Sequence, residues 1–169
     1  MDRMWSWATG YALAALLLVA WAYPKLLAGL EVHPVLGLAE ARSGIGFFDP
    51  ELRYAIGGAV VVAALMLLVP KTRLAGGLIA LLVSVFYFAL HSSPWLGADI
   101  PSYGALMTAL EAGRTAEQIE ALGLGTDRAA HLSLVLTNLV LGGMVVAAEA
   151  MRLRSKTVKV DTSLKPAFG

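Results

Sequence analysis

The chain has 169 residues, of which 58% are hydrophobic and only 15% are charged, and its mean hydropathy is +0.71. This length suffices for one domain, but the charge is too low to cover the surface of a soluble one. A net charge of +1 without a basic, aromatic-interleaved stripe gives no indication of nucleic-acid binding. The lack of cysteine excludes disulfides, thiolate metal sites and thiol–disulfide chemistry by this chain alone.

Residues 1–152 contain four long apolar segments, which predict four membrane-spanning helices because crossing a bilayer takes roughly 20 mostly apolar residues. The first segment has tryptophans near both ends, Trp7 and Trp21, as in the aromatic belts of spanning helices. The predicted spans cover about 4–27, 51–70, 74–97 and 129–151. We therefore predict an all-α fold, a four-transmembrane-helix bundle, followed by a basic cytoplasmic tail at 153–169.

The ends of these segments carry their own signals. The first closes on a Tyr-Pro-Lys-Leu sequence around Pro24, which is typical of a helix end and unlike a signal-peptide cleavage site. The second and fourth are short, and each spans a bilayer only if it includes charged residues, Arg53 in one and Glu149 with Arg152 in the other. We expect these charges to snorkel to the lipid headgroups. Four such helices buried in a soluble protein of this length would leave it no polar shell.

The connections differ in basic charge, which predicts the orientation of the chain. The tight turn between spans two and three contains Lys71 and Arg73 and no acid. The C-terminal tail carries five basic residues, Arg152, Arg154, Lys156, Lys159 and Lys165. Because Lys and Arg favour the cytoplasmic side, we predict a multi-pass membrane protein with both termini cytoplasmic.

The two longer connections, which this orientation places outside, contain helix signals. Asp49 before Pro50 predicts a helix start with the aspartate as its cap. In the later connection apolar residues recur at helical spacing from Tyr103 and end at Gly113, and Thr115–Gln118 is a capping box. The two short helices so predicted either lie at the membrane interface or across the mouth of the bundle, or act as an ordered spacer.

All three histidines, His33, His91 and His131, fall at this outer side. Imidazoles near membrane depth bind metals or haem, or exchange protons with a quinone headgroup. One hypothesis is a metal site of all three, and another is a haem held by His91 and His131. The alternative is that each imidazole tip simply reaches the headgroups, since none belongs to a ligand-spacing motif such as H-x-x-x-H.

Two further polar residues lie within or beside the predicted spans. Lys25, at the outer end of the first, either snorkels, which we favour, or contacts an anionic ligand or headgroup. Asn138 lies in the middle of the fourth span, where a buried amide usually bonds to another helix, and Tyr87 is a plausible partner. With His91 and His131, these two residues form the predicted cofactor-binding set.

Common enzyme motifs are missing. The sequence has no G-x-S-x-G, Walker A, H-E-x-x-H or G-x-G-x-x-G, so hydrolase, nucleotide and dinucleotide sites have no support. The predicted spans also lack the carboxylate pairs or arginine series of proton-driven transporters and voltage sensors.

Four features occur in a familiar order: Tyr-Pro-Lys-Leu-Leu-Ala-Gly at 23–29, Leu-Val-Pro-Lys-Thr-Arg at 68–73, His91 closing the third span, and Asn138 in the fourth. Over roughly residues 11–148 the chain resembles the DoxX-like family of small four-helix bacterial membrane proteins. The resemblance implies an accessory or quinone-linked subunit of the bacterial inner membrane, with Lys25, His91 and Asn138 at family positions. The chain departs from the family in having glycines where a carboxylate is often found early in span two, and in a longer connection at 94–128.

We therefore predict an accessory membrane subunit of a larger, electron-transferring or respiratory complex, without catalysis of its own. Its partners would be the lipid bilayer and other membrane protein subunits. The alternative is a small quinone- or metal-linked oxidoreductase that uses the outer histidines. A quinone or a haem is the cofactor class that the residues suggest, although neither is required.

Overall fold

The computed structural model describes the backbone of residues 2–29 and 31–163, and the side chains of residues 7–29 and 31–155. In this part of the chain the regular elements are helices. In chain order they are α1 (Asp2–Leu16), π1 (Leu17–Ala22), α2 (Tyr23–Leu26), α3 (Pro34–Ser43), π2 (Phe48–Leu52), α4 (Arg53–Leu68), α5 (Arg73–His91), α6 (Tyr103–Glu111), α7 (Ala116–Ala121) and α8 (Ala130–Ser163). The letter π marks stretches with π-helical hydrogen bonding.

Four helical stretches within the described residues are long and apolar enough to cross a membrane, Trp7–Leu26, Phe48–Leu68, Arg73–His91 and Ala130–Ser155. They are compatible with a multi-pass membrane protein and match the predicted spans in number and order. The third ends at His91, earlier than the predicted boundary near residue 97. Pro94 explains the difference, because it disfavours helical backbone at the residue before it. Of the predicted tail, residues 153–163 continue α8, and 164–169 lie outside the described residues.

The long helices pack side by side as neighbours, α5 against α8 and α4, and α1 against α8 and α4. Glycines mark the closest approaches. A Cβ atom on Gly76 would lie 2.7 Å from the carbonyl oxygen of Ala63 in the neighbouring α4, and one on Gly142 would lie 3.1 Å from the Leu81 side chain. Small residues therefore set the spacing between helices, as is usual for helix packing in membranes.

Two ends of this structure are distinguished by their charged residues. The histidine end is where Lys25, His33, Arg53, His91 and His131 lie, next to the two longer connections. The arginine end is where Arg73, Glu149 and Arg152 lie, next to the tight turn at 69–72. Each end contains buried charged residues, whereas the interior between the two ends is lined by apolar residues such as Leu13, Leu17, Val60, Ala63 and Val145.

The connections at the histidine end are folded. The third contains α6 and α7 as predicted, and the capping box from Thr115 to Gln118 is confirmed in both hydrogen bonds. The first contains α3, a helix the sequence did not predict, which packs against α6 and α7. The buried apolar side chains of these three helices include Leu36, Leu38, Leu106 and Ile119. We call α3, α6 and α7 the connecting layer.

Two of the three charged residues expected to snorkel, Arg53 and Glu149, are buried instead, whereas the side chain of Arg152 is 37% exposed. Arg53 is 3% exposed and pairs with Asp49, with 3.1 Å between Nε and Oδ1. Glu149 is 1% exposed and forms ion pairs with both Arg73 and Arg152, at nitrogen–oxygen distances of 3.6 and 2.8 Å. Arg53 and Glu149 each have an ion-pair partner within the protein, so neither side chain extends to the lipid headgroups.

Candidate functional site

A pair of histidines lies at the centre of the histidine end. His91 is the last residue of α5 and His131 is the second residue of α8, and both are 6% exposed. His91 Nε2 and His131 Nδ1 are 2.8 Å apart, a hydrogen bond between two buried rings. The sequence placed both histidines at one end; the structure shows that these two meet.

The hydrogen bonds fix which nitrogens carry protons in the neutral pair. His91 Nδ1 lies against the carbonyl oxygen of Gly97, which only accepts, so Nδ1 carries the proton. His91 Nε2 is then an acceptor and His131 Nδ1–H donates to it. We therefore assign the remaining lone pair to His131 Nε2, for which no hydrogen-bond partner occurs among the described residues. This nitrogen is the base of the site.

The residues before α8 position His131. The Asp127 carboxylate accepts from the backbone N–H of His131 at 3.0 Å, and from those of Ala129 and Ile100 at 3.0 and 3.3 Å. Arg128 and Ala129 have positive φ angles of 52° and 57°, a conformation that costs a residue with a Cβ roughly 1–2 kcal/mol. Two strained residues in succession, held by one carboxylate, fix where α8 begins and hence where the imidazole lies.

Aromatic rings surround His131. Its ring centroid lies 5.4 Å from that of Tyr87, 6.0 Å from Trp21 and 6.3 Å from Tyr103. Trp21 and Tyr87 also contact each other edge to face at 5.0 Å. Tyr103 comes from α6, so the connecting layer contributes one wall of the site. Burial, followed by the negative charge of Asp127, raises the pKa of Tyr103, so this phenol stays protonated at physiological pH.

Lys25 lies beside two of these rings. We call Lys25, the histidine pair and the three aromatic residues the cluster. The Lys25 side chain is only 4% exposed, and its ammonium group lies 5.0 Å from the Trp21 ring centroid and 5.2 Å from that of Tyr87. These are cation–π distances. Among the described residues no carboxylate pairs with Lys25 and no hydrogen bond reaches its nitrogen. The favoured prediction that Lys25 snorkels is therefore wrong.

The π-helical stretch explains how Lys25 comes to face inward. The residues Leu17–Ala22 immediately precede α2, which carries Lys25. A π turn contains more residues than an α turn, so the residues after it are rotated relative to a regular helix. Trp21, at 0% exposure, and Lys25 then face the same interior. Such turns are frequent at functional sites.

Two buried polar atoms of the cluster, Trp21 Nε1 and Tyr87 Oη, form no hydrogen bond with any residue that the structure describes. Buried donors are nearly always satisfied in folded proteins, and an exception calls for an unseen water, ion or ligand. Together with Lys25 Nζ they give the site three donor groups beside the single lone pair of His131 Nε2.

His33 lies near this cluster and has a structural role of its own. Its Nδ1 caps α3 by accepting from the Leu36 N–H at 3.4 Å, and its backbone N–H donates to the Asp49 carboxylate. Burial, and then the positive charges of Lys25, His131 and Arg53, lower the pKa of His33 well below 6.5. The ring is therefore neutral at physiological pH, as its capping role requires.

Asp49 differs in part from the prediction. Its backbone is extended at φ −141° and ψ 121°, and the helix continues from Pro50, as expected for a cap. Among the described residues, however, its carboxylate accepts no hydrogen bond from the first turn of the helix and is engaged by the His33 N–H and by Arg53.

The metal and haem hypotheses gain nothing from this geometry. Within the described residues no group of three or more His, Cys, Asp or Glu side chains could hold a metal ion, so His33 does not join the other two histidines in a ligand set. A haem between His91 and His131 would need their nitrogens on opposite faces of a macrocycle. At 2.8 Å these nitrogens share a proton instead.

Asn138 lies deeper and outside the cluster. It is fully buried two helical turns beyond His131, about 10 Å along α8, and its Nδ2 donates to Ser84 Oγ at 2.6 Å. The expected bond to another helix is confirmed, but the partner is Ser84 and not Tyr87. The predicted cofactor set thus divides: Lys25, His91 and His131 lie together, and Asn138 joins helices.

Four residues that contact or position the histidine pair were not predicted as site residues: Trp21, Tyr87, Tyr103 and Asp127. One signal could have found two of them. Tyr87 is four residues before His91, and Trp21 is four residues before Lys25, so each pair shares a helix face.

Comparisons of the chain with protein-family models, with curated proteins and with solved structures give no match. The resemblance to the DoxX-like family accordingly stays a prediction, and the functional conclusion has to rest on the site.

Proposed function

We propose that this chain is a four-helix-bundle subunit of a bacterial inner-membrane electron-transfer complex, with both termini cytoplasmic, and that it binds the headgroup of a membrane-soluble quinone at the histidine end. The proposal rests mainly on one observation: a hydrogen-bonded histidine pair buried beside Lys25 and two unpaired donors. A purely structural end would be expected to satisfy these groups internally.

The chemistry of a quinone suits this set of groups. Reduction of a quinone to a quinol takes two electrons and two protons, and its carbonyl oxygens accept hydrogen bonds in the oxidised form. Lys25, Trp21 and Tyr87 are donors for such an oxygen. His131 Nε2 is the acceptor for a quinol hydroxyl. Once Nε2 has taken up that proton, the His131 ring can pass its Nδ1 proton to His91 Nε2.

The electrons would be exchanged with a redox centre on a partner subunit. The subunit role accords with the lack of enzyme motifs and with the connecting layer. That layer is held by its own buried side chains, and it exposes Glu111, Arg114 and Glu117. A preformed charged surface of this kind suits docking to a partner.

Quinone binding can be tested with the purified protein in lipid nanodiscs. Quenching of tryptophan fluorescence by 1,4-naphthoquinone reports binding near Trp21. We expect saturable quenching that weakens at least tenfold in His131→Phe, which keeps a ring but removes the base. His33→Asn is the matched control, since asparagine also caps a helix and binding should be unchanged. No saturable binding by the wild type, or equal binding by His131→Phe, would contradict the proposal.

Docking is tested separately by Glu111→Lys together with Glu117→Lys, which reverses charge on the exposed face and leaves the buried face intact. We expect the doubly substituted chain to bind naphthoquinone normally but to lose its partner subunits on affinity purification from its own membrane. Retention of the partners would argue against docking through the connecting layer.

A further inference from the structure

Three lysine and arginine side chains are at least 95% buried in the described structure, and only one of them does not pair with a carboxylate. Arg53 pairs with Asp49 and Arg73 pairs with Glu149. Lys25 is 4% exposed, and no ion pair reaches it from the described residues. The carboxylates near the two arginines are already engaged, so Lys25 has no obvious counter-charge of its own.

A buried ammonium group without an anion is unfavourable, because the Coulombic attraction that offsets its desolvation is missing. The two aromatic faces over which it lies offer only part of this compensation. The same two rings carry Trp21 Nε1–H and Tyr87 O–H, buried donors for which the described residues provide no acceptor. All three groups would be satisfied by a negatively charged oxygen.

We propose that the headgroup bound at this site carries an ionised hydroxyl, so that the ligand is an acidic hydroxyquinone whose delocalised oxyanion is the counter-charge of Lys25. This inference rests on the proposed function and narrows its ligand class. The ring hydroxyl of such a quinone ionises readily because the negative charge spreads over the conjugated carbonyl oxygens. The donors of Lys25, Trp21 and Tyr87 meet this charge, while His131 Nε2 remains free for proton exchange at another oxygen.

Two probes of nearly the same shape separate charge from ring binding. They are 2-hydroxy-1,4-naphthoquinone, which is ionised at neutral pH, and 1,4-naphthoquinone, which is neutral. Titrated by tryptophan quenching into nanodiscs of zwitterionic lipid, the wild type should bind the hydroxyquinone at least tenfold more tightly. Equal affinities, or a preference for the neutral ring, would overturn the inference.

Variants at Lys25 show whether this residue is the source of the preference. Lys25→Met should bind both probes with similar affinity, whereas Lys25→Arg should keep the preference. Lys71→Met, the same substitution at an exposed lysine of the arginine end, is the control and should behave as the wild type. An undiminished preference in a folded Lys25→Met protein would overturn the assignment. If that variant fails to fold, the wild-type comparison still decides.

The outcomes distinguish this inference from the proposed function. If neither probe binds the wild type, the proposed function fails. If both bind equally, quinone binding stands and only the oxyanion is wrong. A headgroup phosphate is another source of negative oxygen, so the titration is repeated in nanodiscs containing anionic phosphatidylglycerol. Abolition of hydroxyquinone binding in those nanodiscs would assign the Lys25 site to lipid and overturn the inference.

Discussion

The two ends of the molecule bury positive charge in different ways. At the arginine end Arg73 is 1% exposed and its guanidinium pairs with Glu149, donates to the Leu67 carbonyl at 2.9 Å and lies 4.4 Å from the Trp7 ring centroid. Arg152 adds a second contact to Glu149 and donates to the Pro70 carbonyl. At the histidine end Lys25 is about as deeply buried, but it has only aromatic faces beside it.

The difference indicates a structural role for the arginine end and a ligand-binding role for the histidine end. A charge with a carboxylate and carbonyl acceptors fixes the tight turn to α8. A buried charge that lacks a carboxylate and carbonyl acceptors, beside unpaired donors and a base, is arranged to bind a ligand. Substitutions at Arg73 and Lys25 break one of these arrangements each.

The largest effect is expected from Arg73→Met, which leaves Glu149 buried with less positive charge around it. Removing one member of a buried pair typically costs about 3–5 kcal/mol. We expect a loss of that order in the free energy of unfolding, measured by titration from mild detergent into SDS. Because neither charge would then be left alone, Arg73→Met with Glu149→Met should lose less than the single variant. A double variant less stable than the single one would show that the pair is not the main contribution.

Lys25→Met should have the opposite sign. Replacing a buried charge by an apolar side chain of similar length removes a desolvation cost without breaking an ion pair. We expect the free energy of unfolding to be unchanged or to rise by up to about 3 kcal/mol. Arg53→Met is the control at the same end, and it should destabilise because Asp49 loses its partner. A loss of several kcal/mol in Lys25→Met would show that this lysine is structural.

A smaller effect concerns pH and His33. Its pKa is lower in the folded than in the unfolded protein, so the unfolded chain binds more protons once the pH falls below about 6.5. Stability is therefore full above that pH and decreases below it, by at most about 1.4 kcal/mol per pH unit for one group. His33→Asn should flatten this part of the profile of unfolding free energy against pH. An unchanged profile in His33→Asn would mean that other groups cause the acid sensitivity.

The smallest effect is expected at Ser84 and Asn138. Their bond joins α5 to α8 in the span interior. Hydrogen bonds between membrane helices average about 0.6 kcal/mol in double-mutant cycles. A cycle of Ser84→Ala and Asn138→Ala should give a coupling energy of about that size. A coupling indistinguishable from zero would leave Asn138 available for another role.

Much of the architecture follows from the sequence, because the length of an apolar segment and its caps are local properties. The four candidate spans, the capping box at Thr115 and the location of all three histidines at one end were predicted. The helix α3 was missed because its residues are apolar on several sides: Val35, Leu36, Leu38 and Ala39 are all fully buried, so no amphipathic stripe marks it.

The site itself was only half predictable. The rotation of α5 and α8 about their axes decides which histidines meet, and no local sequence pattern predicts that rotation. The pairing of Arg73 with Glu149 joins residues 76 positions apart, so snorkelling was the simplest expectation from the sequence alone. Lys25 faces inward after a π-helical stretch that has no recognised sequence signal.

The most direct test of the account is native mass spectrometry of the protein extracted from its own membrane in mild detergent. We expect the chain to appear with additional protein subunits and with a bound mass of the quinone class, and we expect His131→Phe to lose the small molecule while keeping the subunits. A bare monomer, carrying neither a partner nor a quinone under conditions that preserve other membrane complexes, would contradict the central claim that the histidine end is a ligand site.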